Sequence, residues 1–291
     1  MVFTIFGDAV LHRDSECWAG SLVRLGADLG FDPQAVRVAL SRMVRQGRLA
    51  ARRIGRSSYY SLTDHGLARV SEGVRRVYAT APDPWDGHWR MLTYAIPESQ
   101  RRLRDQLRAE LVWRGFGSLA SGVWLSTQAA EQPTLGWLAD YGLGDHAHVF
   151  VARYGGPLSD EQLTARLWDL PAIAQSYQAF LDHWQPRRAH LAADCAAGRA
   201  PVASWAFAER TTLVHAYRKF LHIDPGLPSE LVPAHWPGIT ARALFHDYYR
   251  LLSPAAEAHF ESQFRAPPRP RPAPRPGRPT GALAETAGQV G

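Results

Sequence analysis

The spacing of apolar residues changes at Gly47, and that change constrains the fold more than any other feature of the chain. Before it, Val36, Ala39, Leu40 and Met43 recur at the three- and four-residue spacing of an amphipathic helix. Asp32 offers a capping oxygen, Pro33 suits the first helical position, and Gly47 can end the helix. The pattern therefore predicts a helix from Pro33 to about Gln46. After Gly47, Ser58-Tyr59-Tyr60-Ser61-Leu62 is rich in strand formers and Ile54-Gly55-Arg56-Ser57 reads as a turn. A hairpin over Arg48 to Leu62 follows.

Two helices are expected ahead of this pair. Val2 to Val10 is a short apolar one, and Glu16 to Leu29 places Trp18, Leu22, Leu25 and Leu29 at helical spacing before Gly30. Behind the hairpin, Thr63 or Asp64 caps a helix carrying Leu67, Val70, Val74 and Val77, and Ala81-Pro82-Asp83-Pro84 breaks the chain. Three helices, a hairpin and a further helix make residues 1–82 a winged helix-turn-helix domain.

At 291 residues the chain exceeds what one core usually serves. Residues 85–157 read strand, helix, strand, strand, helix, strand: His88 to Ile96, Glu98 to Trp113, Gly117 to Ala120, Val123 to Ser126, Pro133 to Tyr141 and His146 to Tyr154. That order predicts a ferredoxin-like βαββαβ domain. Residues 158–264 form a helical C-terminal domain, with helices expected at Glu161 to Leu181, Pro186 to Gly198, Trp205 to Leu221 and Ile239 to Phe264. The seven prolines from Pro267 to Pro279 leave too little apolar content to pack, so residues 265–291 are expected to be a disordered tail. The whole is an α+β chain.

Charge placement points to function more than net charge does. The formal charge is +6 and the basic residues other than Lys219 are arginines, which base composition alone would explain. Between Gln34 and Leu62, however, stand seven arginines and no carboxylate. A solvated surface helix normally mixes signs, whereas phosphates require uncompensated positive charge and the major groove admits one helix. Gln34, Arg37, Val38, Ser41, Arg42 and Arg45 are accordingly expected on the DNA-facing side of the third helix. Arg37 or Arg42 would fork onto guanine, Gln34 would pair with adenine and Val38 would meet a thymine methyl. Arg45, Arg52, Arg53 and Arg56 would hold phosphates, with Tyr59 of the hairpin beside them.

Other function classes find less support. Cys17 and Cys195 are too far apart in sequence to suggest a disulfide framework, which suits a reducing compartment. Apolar runs fall short of a membrane span and the first residues lack signal-peptide features, so a cytoplasmic protein without membrane contact is expected. The twelve histidines include no structural-zinc spacing; His190, Asp194 and Cys195 form at best a loose cluster, and neither metal nor cofactor is expected.

The stretches Phe6-Gly7-Asp8, Gln34 to Val44, Gly55-Arg56-Ser57-Ser58-Tyr59-Tyr60, Asp224 to Leu231 and Trp236-Pro237-Gly238 occur in an order that resembles the PaaX-type repressors of phenylacetate degradation. The resemblance covers about Val2 to Phe264. It implies a homodimer on a partly palindromic double-stranded DNA operator, released by an acyl-CoA effector such as phenylacetyl-CoA or a related aryl-CoA. Such a ligand needs cations for its phosphates and an apolar slot for its aryl group. Arg210, Arg218, Lys219 and Arg242, near Trp205, Tyr217 and Trp236, are the candidates.

The βαββαβ order also resembles the ferredoxin-like nucleases of CRISPR spacer acquisition, which need a carboxylate near the end of the first strand. Here Tyr94-Ala95-Ile96-Pro97-Glu98 carries alanine at that point and only Glu98 nearby, so a non-enzymatic regulator is expected. An activator on the same scaffold is the other alternative. Arg269, Arg271, Arg275 and Arg278 of the tail either add nonspecific DNA attraction or are inert.

Overall fold

The computed structural model describes residues 1–11, 16–128, 131–140, 142–144 and 146–264. The expected disordered tail, residues 265–291, lies outside them. The N-terminal segment runs α1 (Val2–Ile5), β1 (Glu16–Trp18), α2 (Ala19–Asp28), α3 (Pro33–Arg45), β2 (Leu49–Ile54), β3 (Ser57–Leu62) and α4 (Asp64–Val77), with a π-helical turn, Phe6–Val10, directly after α1. Asp32 Oδ1 accepts from Gln34 N at 2.7 Å and Thr63 Oγ1 from Gly66 N at 3.0 Å, so both caps read in the sequence are made. The hairpin pairs Leu49 with Leu62 through Ile54 with Ser57, and Gly55 takes φ +57° at its tip.

The expected helix from Glu16 to Leu29 is shorter than its periodicity implied. Glu16, Cys17 and Trp18 are extended and pair with Ser61, Tyr60 and Tyr59, making β1-β3-β2 an antiparallel sheet. The cross-strand bonds offered by β3 outcompete helix propensity at this end.

The central segment is β4 (Trp89–Tyr94), α5 (Arg101–Trp113), β5 (Gly117–Ala120), β6 (Val123–Ser126), α6 (Glu131–Asp140) and β7 (Ala147–Ala152). The strands lie in the order β5-β6-β4-β7, all neighbours antiparallel, which is the ferredoxin-like arrangement. Leu92, Leu107, Leu111, Phe116 and Trp124 are among the residues of its core.

The C-terminal segment comprises α7 (Asp160–Leu167), α8 (Leu170–Ala196), α9 (Ala203–Tyr217) and α10 (Pro237–Phe264). Two expected helices are redrawn. Glu161 to Leu181 breaks at Trp168, where the backbone is extended and Asp169 recaps by accepting from Ala172 N at 3.1 Å. Pro186, expected to start a new helix, instead lies inside the 27-residue α8. Packing of Phe180, Leu181, Trp184 and Leu191 on one side of α8 holds the helix together across the missing N–H.

One hydrophobic core joins the first and last segments: Phe6, Leu22, Leu25 and Leu40 share it with Phe207, Phe245, Tyr248 and Phe260. Inside it Asp8 Oδ2 lies 3.2 Å from Arg210 Nη2, while Tyr78 and Tyr249 donate to Asp8 Oδ1 at 2.5 and 2.9 Å. At the edge of the same contact His259 Nε2 lies 2.7 Å from Asp28 Oδ2. The central segment is held to α4 by Arg69, which donates to Glu110 Oε2 at 2.9 Å with its guanidinium 3.8 Å from the Trp113 ring centre.

Candidate nucleic-acid interface

Helix α3 carries three distinct stripes. Val36, Leu40 and Met43 are buried and anchor it. The close approach of α2 at Gly26, where a Cβ would stand 2.6 Å from Val36 Cγ2, fixes its depth. Gln34, Val38, Ser41 and Arg45 follow the spacing of a second stripe with Arg37 beside it, and all are exposed. Val38 is 55% exposed on this otherwise polar surface. Ala35, Ala39, Arg42 and Gln46 make the third stripe, which borders a cleft shared with α1 and α9. Arg42 is thus exposed, at the edge of the outward face.

In the hairpin, Arg52, Arg53 and Arg56 are exposed, with Arg56 next to the tip glycine. The structure qualifies the acid-free surface. β1 brings Glu16 alongside, and Arg52 donates to both its carboxylate oxygens, at 2.9 and 2.6 Å. That pairing raises the Arg52 pKa, chiefly through the hydrogen bond to Glu16. Nothing at positions 34–62 signalled it, because Glu16 lies in a segment that read as helix. Tyr59, expected beside the phosphate-holding arginines, is 6% exposed, with Arg52 lying 5.9 Å above its ring. It packs in the sheet and is not available to a duplex.

The seven residues expected to hold an effector do not gather in one place: Tyr217 and Arg242 line the same cleft, with Arg242 hydrogen-bonded to Tyr217, and the others lie elsewhere. Arg210 is buried against Asp8 and Glu257, so its charge is already used. Tyr217 stacks on Phe245 at 4.2 Å, and Trp236 is buried edge-on to Tyr177 at 6.2 Å. Trp205 borders a separate cleft with Arg187 and Arg199, and Lys219 is exposed. Arg242 lines a cleft of about 320 Å³ among α4, the central segment and α8, together with Arg75, Arg76, Asp83 and Asp224. Arg218 instead faces α1, donating to Thr4 Oγ1 at 3.1 Å. Burial first, and then the neighbouring Arg48, hold its guanidinium pKa below the usual range.

The end of β4 offers little to a metal-dependent nuclease. Arg104 and Arg108 line the cleft there beside Tyr94, Ala95 and Trp124, with no described carboxylate. Glu98 is exposed and paired with Arg104 at 2.7 Å. Among the described residues no three His, Cys, Asp or Glu side chains gather as a metal site would require, and no helix is long and apolar enough to cross a membrane.

Comparison with known proteins matches all three segments. Residues 1–66 match the family described as PaaX-like protein, 82–164 the PaaX protein central Cas2-like domain, and 168–262 the PaaX-like protein C-terminal domain. The transcriptional repressor PaaX of Escherichia coli (strain K12) is 36% identical over 263 residues, 89% of this chain and 81% of that protein. Among solved structures, the uncharacterized protein Rv0674 from Mycobacterium tuberculosis is similar with a TM-score of 0.52 and 26% identity, covering 88% of this chain and 97% of that one. An N-terminal sheet and helices, a Cas2-like middle and a helical end in one order, with this identity to the E. coli repressor, place the chain in the PaaX family of transcriptional repressors.

Proposed function

We propose that the protein is a sequence-specific DNA-binding repressor, working in the cytoplasm as a homodimer with each α3 in a major groove of an aromatic-acid catabolic operator. The observation that carries this reading is the outward stripe of α3: exposed, cationic, without a carboxylate, and held rigidly from behind by Val36, Leu40 and Met43. Gln34, Arg37, Val38 and Ser41 read base edges, while Arg42, Arg45, Arg53 and Arg56 contact phosphates or a flanking groove. Arg52 joins them only when its pairing with Glu16 opens.

Repression is by occlusion, and an aryl-CoA thioester relieves it by binding more tightly to a form whose half-site spacing fits poorly. Clear DNA retardation in a gel shift with the upstream region of the adjacent genes, reversed by phenylacetyl-CoA, supports the reading. No retardation at any salt concentration, or cleavage of the duplex with Mg²⁺ or Mn²⁺, refutes it. Whether the same contact represses or activates depends on where the operator lies relative to the promoter, which a reporter assay decides.

A further inference from the structure

The cleft behind the recognition helix joins a broad apolar wall to cations, as lined by Leu22, Val36, Met43, Arg48 and Arg218. It encloses about 510 Å³, within the roughly 300–1,000 Å³ typical of small-molecule sites. The neighbouring cavity that shares Phe3 and Arg218 with it holds only about 60 Å³. Leu22, Leu29, Phe31, Val36 and Met43 give it an apolar wall, and Phe31 stands 41% exposed at its lip.

Three guanidiniums, Arg42, Arg48 and Arg218, line the same cleft without a described carboxylate among them. Arg48 and Arg218 each lie 5.8 Å from the centre of the Phe3 ring, so two like charges converge on one aromatic side chain. His215 adds a ring nitrogen 3.2 Å from Thr4 Oγ1. Burial, with nearby cations behind it, holds its pKa down to about 4, consistent with a surplus of positive charge. Arg42 and Arg48 are exposed, but Arg218 is half-buried with no described carboxylate beside it in the cleft, and an anion there would relieve the charge that burial penalises. The junction cleft near Arg242 is different, because Asp83 and Asp224 already lie among its arginines.

We infer that this cleft is a ligand site for an amphipathic organic anion, with Arg48 and Arg218 holding the charged group and the Leu22–Phe31 wall taking an aryl or acyl group. The inference rests on the proposed function for the choice of thioester as probe, and it supplies what that reading lacks, a route from ligand to DNA. The third stripe of α3 forms one wall, and α1 with His215 and Arg218 forms the other. A ligand wedged between them acts on the recognition helix from behind and shares only Arg42 with the proposed DNA contacts.

The test is calorimetric titration of the full chain with phenylacetyl-CoA, with CoA and phenylacetate as separate arms, beside a gel shift. The thioester should bind more tightly than either half. Arg218→Gln should weaken it at least tenfold while leaving operator affinity within about twofold, the size expected for loss of one charge-assisted contact. Phe31→Ser, at an exposed lip, should weaken it at least threefold and decides the matter if Arg218→Gln melts early. Arg242→Gln should bind as the unaltered chain does. No thioester binding by the unaltered chain, unchanged binding in Phe31→Ser and any folded Arg218→Gln, or loss in Arg242→Gln instead would overturn the site. A chain that binds thioester but no duplex overturns the DNA reading and leaves the site standing; one that binds duplex but no thioester overturns the site and relief by thioester, and leaves the DNA reading standing.

Discussion

Removing Asp8 should unfasten the N-terminal segment from the C-terminal helices. Its side chain is 1% exposed and that of Arg210 2%, with 3.2 Å between Asp8 Oδ2 and Arg210 Nη2. At that separation and an effective dielectric of about 20, the attraction is roughly 5 kcal/mol, set against the desolvation of both groups. Asp8→Ala removes the attraction and leaves the desolvated guanidinium in place. Its remaining carboxylate partner is Glu257, 3.3 Å away but 54% exposed. Tyr78 and Tyr249 lose their acceptor at the same time. A loss of about 3–5 kcal/mol is expected, as for breaking a buried pair from one side. Replacing both members with apolar residues, Asp8→Leu with Arg210→Met, should recover most of it, to within about 2 kcal/mol of the unaltered chain. Urea unfolding followed by far-ultraviolet circular dichroism measures Asp8→Ala, the double substitution, and its single components Asp8→Leu and Arg210→Met, which complete the cycle. If Asp8→Ala costs under 1 kcal/mol, or the double substitution costs as much as the two single losses added, the ion pair is not the fastening.

Four further outcomes are expected. Arg37→Ala should cost about 1–3 kcal/mol of operator binding and relax base preference, whereas Arg53→Ala should weaken all sequences alike and flatten the salt dependence by about one unit, both read by fluorescence anisotropy across a salt series. Glu16→Gln should free Arg52 and raise affinity for arbitrary duplex at low salt; unchanged affinity would mean the pairing already opens on binding. Gly26→Ala puts a methyl 2.6 Å from Val36 Cγ2, so α3 must shift; a melting loss of about 1–3 kcal/mol with weaker operator binding follows. For His215, a folded pKa of about 4 against an ordinary 6.5 means the unfolded chain binds the extra proton first. Its contribution to stability is complete above about pH 6.5 and is lost as pH falls toward 4, and His215→Gln should flatten that part of the stability profile. Thr4, Arg218, Lys219 and the terminal amine surround the ring, so its response should also sharpen at low salt.

Where local chemistry sufficed, the sequence was readable. Asp32, Thr63 and Gly55 announced two helix starts and a turn because each acts on backbone within three residues of itself. Ala95, followed by Pro97 and Glu98, likewise revealed a first-strand end without a carboxylate. Glu16 to Trp18 was misread because an extended segment three residues long has no period of its own; it is a strand only because β3 lies beside it. Pro186 was misread in the opposite direction, since the packing that carries α8 through it comes from other helices.

The sequence by itself determined α3, the β2–β3 hairpin, the start of α4, the ferredoxin-like order and the carboxylate-free stretch around α3, because caps, periodicity and composition act over a few residues. Only the tertiary structure decided that Tyr59 and Arg210 are interior, that Glu16 neutralises Arg52, and that Arg48 meets Arg218 across α1. Those outcomes depend on burial and on charges brought together from distant parts of the chain, and both quantities exist only after the core that joins the two ends of the molecule has formed.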